Sequence, residues 1–263
     1  MMKRFRQNLC SELFKIGCTK VCRIVTILVT VMQGFLAYIS AKQILSVGLD
    51  AVPDASNGLL EAMPPIEYMG FDVIMFSTIP MIVFGATCGA SEYKLHGMRT
   101  TLLYLGDKKR LYAVKLIATT LFAFTISLVS VITTITITHL TLGKEGLVPL
   151  VFNVTVWKFI IMAVISITLT TLLSYVIGFL FRTAVVPLLF LIIQAYNVGD
   201  MIAEKFKVCR LLPVSLANRM IASSESMLSP HPVYNTLGLF IWIVVFAFAG
   251  FLLFRKSDLR GEY

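Results

Sequence analysis

Six long apolar runs free of Asp, Glu, Lys, Arg and His divide the chain: 24–41, 73–91, 116–138, 159–181, 183–199 and 232–254. The hydrocarbon core of a bilayer is crossed by roughly 20 helical residues, so each run is near spanning length. The fifth is extended by Met201, Ile202 and Ala203. None alternates with the period of two expected of a barrel strand. In hydrocarbon only helices and closed barrels satisfy every backbone group. The pattern predicts an all-α membrane protein forming a single transmembrane domain over 1–263. Its spanning helices are expected at 22–41, 72–90, 115–138, 157–180, 184–203 and 236–254.

Three stretches between the runs carry their own patterns. Phe5, Leu9, Leu13 and Ile16 recur at helical spacing with Lys3, Arg6, Lys15 and Lys20 off the stripe. This predicts a basic amphipathic helix over 1–20 lying along the membrane surface, with an ordinary cytoplasmic tail as the lesser alternative. The second stretch, 91–110, is the one long charged segment between two strongly apolar runs. Ser91 reads as an N-cap with Glu92 in the first turn. Leu95, Met98, Leu102 and Leu105 then form a stripe, with His96 and Arg99 elsewhere on the wheel. Gly106 reads as the stop and Asp107-Lys108-Lys109-Arg110 as the exit. Such a helix fills a groove on another protein or lies as a surface connector, and spacing alone leaves both open. The third stretch, 204–235, is too polar to span and too apolar for a solvated loop, which predicts short re-entrant helices.

Within the spans, small and hydroxyl residues recur every four positions. Ser166, Thr170, Ser174 and Gly178 share a face of the fourth span, and Ser127, Ser130, Thr134 and Thr138 lie on one face of the third. Side chains of this size let helix backbones approach closely, so both faces read as packing seams, with a polar substrate path as the lesser alternative. Gln33 in the first span reads as a packing residue facing a partner helix, with a translocation path as the lesser alternative. Pro80 is expected to bend the second span. His139 reads as an interfacial hydrogen-bonding residue.

Composition sharpens the picture. Hydrophobic residues make up 57% and charged residues 14% of the 263 positions, with mean hydropathy +0.85, whereas a soluble domain is about a quarter charged. If the N-terminus is inside, most of the 23 basic residues fall on the inner side. They include Lys3, Arg4, Arg6, Lys15, Lys20 and Arg23, then Lys94, Arg99, Lys108, Lys109, Arg110 and Lys115, then Arg182, Arg255, Lys256 and Arg260. This is the positive-inside bias, and both termini are expected to be cytoplasmic. The formal net charge of +9 then reports topology and contact with anionic lipid, with no need for a nucleic-acid partner. Of the five cysteines only Cys209 falls outside, so no disulfide framework is expected. Cys18 and Cys22, four residues apart, read as small apolar helix residues in preference to metal ligands, since zinc sites usually need four. There is no P-loop, no H-E-x-x-H, no G-x-S-x-G and no pair of CxxC motifs. Intramembrane acids and bases are almost absent, which argues against a membrane enzyme and a proton-coupled pump.

In layout the chain resembles a permease subunit of the ABC-2 family of ATP-binding-cassette exporters. The resemblance is carried mainly by the segment after the second span, where Glu92, Gly97, Arg99, Thr100, Leu102, Arg110 and Lys115 stand in a familiar order and Met98 replaces a usual Thr. The basic helix before the first span supports it, as do Gly178…Phe181-Arg182, Leu212-Pro213 and the Arg255-Lys256 tail. The resemblance implies two permease copies, as homodimer or heterodimer, bound to two copies of a separate ATPase subunit that holds Mg-ATP. This chain itself would hold no cofactor or metal and have no catalytic residue. A coupling helix bearing Glu92, Tyr93, His96, Arg99 and Thr100 would seat in the ATPase, braced by the helix with Phe5, Leu9, Leu13 and Ile16. The segment 204–235 would cap the path on the outer side. Length and composition resemble the peptide-handling branch, which exports bacteriocins, serves lantibiotic immunity or exports phenol-soluble modulin-like toxins, in the bacterial plasma membrane. The alternatives are an exporter of another hydrophobic substrate (a drug or lipid-like molecule), a non-ABC scaffold or channel, and a membrane enzyme acting near His139, Asp200 or His231.

Overall fold

The computed structural model describes residues 2–49, 64–93, 107–149, 151–195, 206–222 and 232–256. Among these the secondary structure is entirely helical. Helix α1 spans Met2–Cys18, α2 Lys20–Val47 and α3 Ile66–Ser91. Helix α4 spans Lys108–Leu142, α5 Val154–Phe181 and α6 Val185–Ala195. A short α7, Pro213–Asn218, precedes α8, Pro232–Lys256.

Five of these helices, α2, α3, α4, α5 and α8, are long and apolar enough to cross a membrane. The sixth predicted span, 184–203, is represented by the shorter α6, and its remaining residues lie outside those described. Other boundaries shift for identifiable reasons. The first span continues beyond 41 to Val47, and the Lys42 ammonium lies 4.8 Å from the Tyr38 ring centroid. The third begins a full turn or more before 115, because Asp107 acts as an N-cap, accepting a 2.9 Å hydrogen bond from the Lys109 amide. Lys108, Lys109 and Arg110 are therefore the first turn of α4 and not the exit of a loop. Cations are unfavourable at a helix N-terminus. Lys108 offsets this by donating to the Arg255 carbonyl (3.3 Å) at the C-terminal end of α8, where cations are favoured.

Ser91 is also corrected. It is the last residue of α3, with Oγ donating back to the Cys88 carbonyl (3.0 Å), and Glu92 is the C-cap. Just ahead of Pro80, Met75–Ser77 tightens to a 3-10 turn. A proline has no N–H to offer the carbonyl four residues earlier, here that of Phe76. Cys18 and Cys22 do not share a helix face, because Thr19 ends α1 and N-caps α2.

Helix α5 is the axis of the bundle, with α3, α4, α6 and α8 packed around it. Gly85, Gly89 and Gly178 allow α3 and α5 to touch along their backbones. A Cβ at Gly85 would collide with the Thr171 carbonyl oxygen, one at Gly89 with that of Tyr175, and one at Gly178 would stand 2.8 Å from that of Ala86. Ser174 Oγ donates across the same seam to the Ile82 carbonyl (2.6 Å). Ser166 Oγ donates to the Ala217 carbonyl (2.7 Å), and this bond brings α7 against α5. Thr170 is buried on the same face with its hydroxyl returned to the Ser166 carbonyl. The α4 hydroxyl face is buried too: Ser130 Oγ bonds both the Val29 carbonyl (3.1 Å) and Gln33 Oε1, while Gln33 Nε2 reaches the Val73 carbonyl (3.4 Å). Gln33 thereby joins α2, α3 and α4. Helix α7 is buried between α5, α6 and α8, which gives part of the stretch 204–235 an inserted helix.

Replacing Gly85 by Ala should lower the thermal midpoint of the detergent-solubilised protein, at a cost of about 1–3 kcal/mol, because backbone cannot yield as a side chain does. At Gly17 a Cβ meets only the Phe122 ring at 3.6 Å, so Gly17→Ala should leave the midpoint in place. Equal midpoints for both variants would contradict the close approach.

Candidate functional site

The densest polar construction lies where α1, the end of α3 and the start of α4 meet. Lys115 follows Asp107 by two helical turns, which places it on the inner face of α4, 1% exposed at its side chain. Its Nζ contacts Glu12 Oε1 and Oε2 of α1 at 3.2 and 3.1 Å, and Glu92 Oε2 at the end of α3. Glu12 and Glu92 are 5% and 8% exposed. Lys15, one turn after Glu12 and half exposed, closes the cluster at 3.2 Å from Glu92 and 3.9 Å from Glu12. Two cations therefore face two anions.

The balance matters because taking charges out of water is expensive. A buried pair roughly breaks even only when its geometry is good and its members are fully partnered. Burial pushes the Lys15 pKa down, but the attraction of Glu92 and then Glu12 outweighs it, and the net shift is upward. With its folded pKa raised, the stability Lys15 contributes is complete at neutral pH and is lost only as pH climbs through that raised value.

An aromatic layer abuts the ions. Tyr93, next to Glu92, packs against Phe179 of α5 at 5.2 Å between centroids, and the Arg182 guanidinium lies 5.1 Å from the Tyr93 ring centre. Burial pushes the Tyr93 phenol up to about 12. Tyr112 of α4 packs on Phe179 and on Phe251 and Phe254 of α8, and its hydroxyl donates to the Ala247 carbonyl (2.9 Å). The ions and rings together bind α1, α3, α4, α5 and α8 at one end of the bundle.

The predicted residues divide accordingly. Ile16 is buried and Leu9 and Leu13 are half-buried against the core, and α1 packs on α4; Phe5 is also half-buried. The stripe predicted to lie along a membrane surface is thus packed, at least in part, against the helical bundle. Glu92 and Tyr93 point into the junction. His96, Arg99 and Thr100 lie outside the described residues, as does the stripe from Leu95 to Leu105. The hydropathy pattern does not single out Glu12, although it is the one acidic residue before Asp50 and stands four residues from both Asn8 and Ile16. A lone acid in a basic helix, in register with its buried side, is the sign of an internal partner.

Elsewhere, His139 is buried, with Nδ1 accepting from the Leu147 amide (3.3 Å) and the ring 5.4 Å from Phe152. Among the described residues no group of three or more His, Cys, Asp or Glu is arranged to hold a metal. Each ion in the junction is spent on another, so the arrangement positions helices and offers no free base or nucleophile. Comparison with family models, curated proteins and solved structures gives no match.

Lys115→Met should leave two carboxylates buried against one half-exposed lysine and cost about 3–5 kcal/mol. Adding Glu12→Gln and Glu92→Gln removes the stranded charge, and thermal unfolding of the triple variant should recover most of the loss. A single variant as stable as the parent would mean that the junction is open to water.

Proposed function

We propose that the chain is the membrane-embedded permease subunit of an ABC-2-type exporter in a bacterial plasma membrane. It would have six spanning helices and both termini in the cytoplasm, and a separate ATPase subunit would drive it. Its cargo class is an amphipathic or antimicrobial peptide. The observation that supports this reading most is the junction of Glu12, Lys15, Glu92 and Lys115. The segment 94–106 joins the bundle at Tyr93 and Asp107. One attachment is beside Glu92 and the other lies two turns from Lys115. A push on that segment, delivered by a partner that hydrolyses Mg-ATP, would act at once on α1, α3 and α4. The aromatic layer would carry it to α5 and α8.

The mechanism is mechanical coupling. Packed interfaces have discrete arrangements, so a small displacement at one end becomes a rigid-body change of helices. The sequence lacks a P-loop, which fits a chain that borrows its energy. The basic bias of the segments assigned to the cytoplasm fits the orientation. Two permease copies per assembly complete the proposal, as a homodimer or with a sister chain. An apolar bundle with few free charges suits cargo that first partitions into lipid.

The decisive experiment is co-expression with a candidate ATP-binding-cassette ATPase subunit, co-purification, and ATP-dependent peptide release from proteoliposomes. Arg99→Ala should reduce ATP-driven release at least about tenfold, the loss of roughly 1.4 kcal/mol of productive coupling, while membrane insertion and thermal midpoint stay as in the parent. Release without the ATPase, or indifference to Arg99→Ala and to deletion of 94–106, would favour a stand-alone channel.

A further inference from the structure

A second construction lies near the ionic junction, also at the end of α3. A cavity of about 390 Å³ opens there between three chain segments. Its walls include Thr19 at the α1–α2 break, Thr87 and Ser91 at the end of α3, and Arg182 and Thr183 in the α5–α6 hairpin. We propose that this cavity binds the phosphate headgroup of an anionic phospholipid.

Three features carry the assignment. Arg182 supplies a permanent cation at the rim; its backbone is left-handed (φ 56°), and its guanidinium is steadied over Tyr93. Among the described residues no carboxylate pairs with it. The first turns of α2 and α6 both begin at the cavity, Thr19 capping α2 and the Thr183 hydroxyl accepting from the Val185 amide (3.3 Å). Because Thr19 and Thr183 already take one amide each, what the two helix N-termini add to the guanidinium is chiefly the positive ends of their dipoles. Four hydroxyl side chains also line the otherwise largely apolar wall, those of Thr19, Thr87 and Ser91 donating to carbonyls of their own chain segments.

The depth of the site selects lipid over a soluble anion. Helix α5, long and apolar enough to cross a membrane, ends at Phe181 beside the cavity, and as a spanning helix it would put the cavity at headgroup depth. The apolar side chains leading from it are open: Ile24, Ile27 and Val31 on α2 are 61%, 61% and 62% exposed, and Val185 and Leu189 on α6 are 59% and 61% exposed. Helices α2 and α6 both flank α3. A phosphate at Arg182 would let acyl chains lie between them against apolar surface. Basic pockets between membrane helices at the headgroup level recognise anionic lipids in this way. The site stands apart from the transport reading and would serve any membrane protein of this architecture.

The test is native mass spectrometry of the full-length chain purified in detergent and delipidated in an equimolar mixture of phosphatidylglycerol and phosphatidylcholine. The parent should retain phosphatidylglycerol in preference. Arg182→Gln, which keeps much of the length of the side chain and removes the charge, should lower that retention by about fivefold. Ala184→Phe, which fills the cavity and keeps Arg182, should lower it at least as far, and each variant is read on its folded fraction so that either alone suffices. Equal retention of the two lipids, or retention unchanged in both variants, overturns the proposal. Displacement of phosphatidylglycerol by millimolar inorganic phosphate would assign the cavity to a free anion and overturn the lipid reading.

Discussion

A buried ammonium cannot stand alone in a bundle of this composition. Lys115 is enclosed on the inner face of α4, and its charge is tolerable only because Glu12 and Glu92 arrive from two other helices. That requirement fixes the depth of α1 against α4 and the direction in which α3 ends. It also sets where the chain enters and leaves the segment after Tyr93. Hydrophobic packing between membrane helices is forgiving in register, since lipid and leucine are alike in polarity. A charge cluster with one arrangement that neutralises it is not.

The second constraint is the absence of side chains at Gly85, Gly89 and Gly178. They let α3 and α5 meet backbone to backbone, which is why these two helices are buried while α2 and α8 present apolar side chains outward. The seam and the ion cluster are adjacent along α3. The seam holds α3 to the axis of the bundle, and the ions hold its end to α1 and α4. Displacement of one therefore has to be accommodated by the other.

Much of the architecture is legible in the sequence because membrane helices announce themselves by length and uniform polarity. The seam on α5 is readable from Ser166, Thr170, Ser174 and Gly178, whose spacing of four survives unchanged into the structure. The less legible parts are those in which a charge does something other than mark the edge of a membrane. Lys108, Lys109 and Arg110 look like a loop, yet Asp107 caps a helix that contains them and Lys108 is used at the end of α8. Ser91 has the composition of an N-cap, yet its hydroxyl turns back to close α3. Glu12 is hidden because a single acid inside a basic helix vanishes in any sum of charge. The cavity by Arg182 is invisible for a different reason: Thr19, Ser91 and Thr183 come from three distant parts of the chain.

The bond between Glu12 and Lys115 spans 103 positions. During synthesis the helix that carries Glu12 leaves the ribosome long before Lys115, its buried counter-ion, exists. Until α4 arrives, the carboxylate at position 12 must stay hydrated, and that half of the helix cannot settle into place. The amino-terminal segment, though made first, thus docks only after α4 has been made. Its protection from protease in arrested nascent chains should appear only once residue 115 has cleared the exit tunnel.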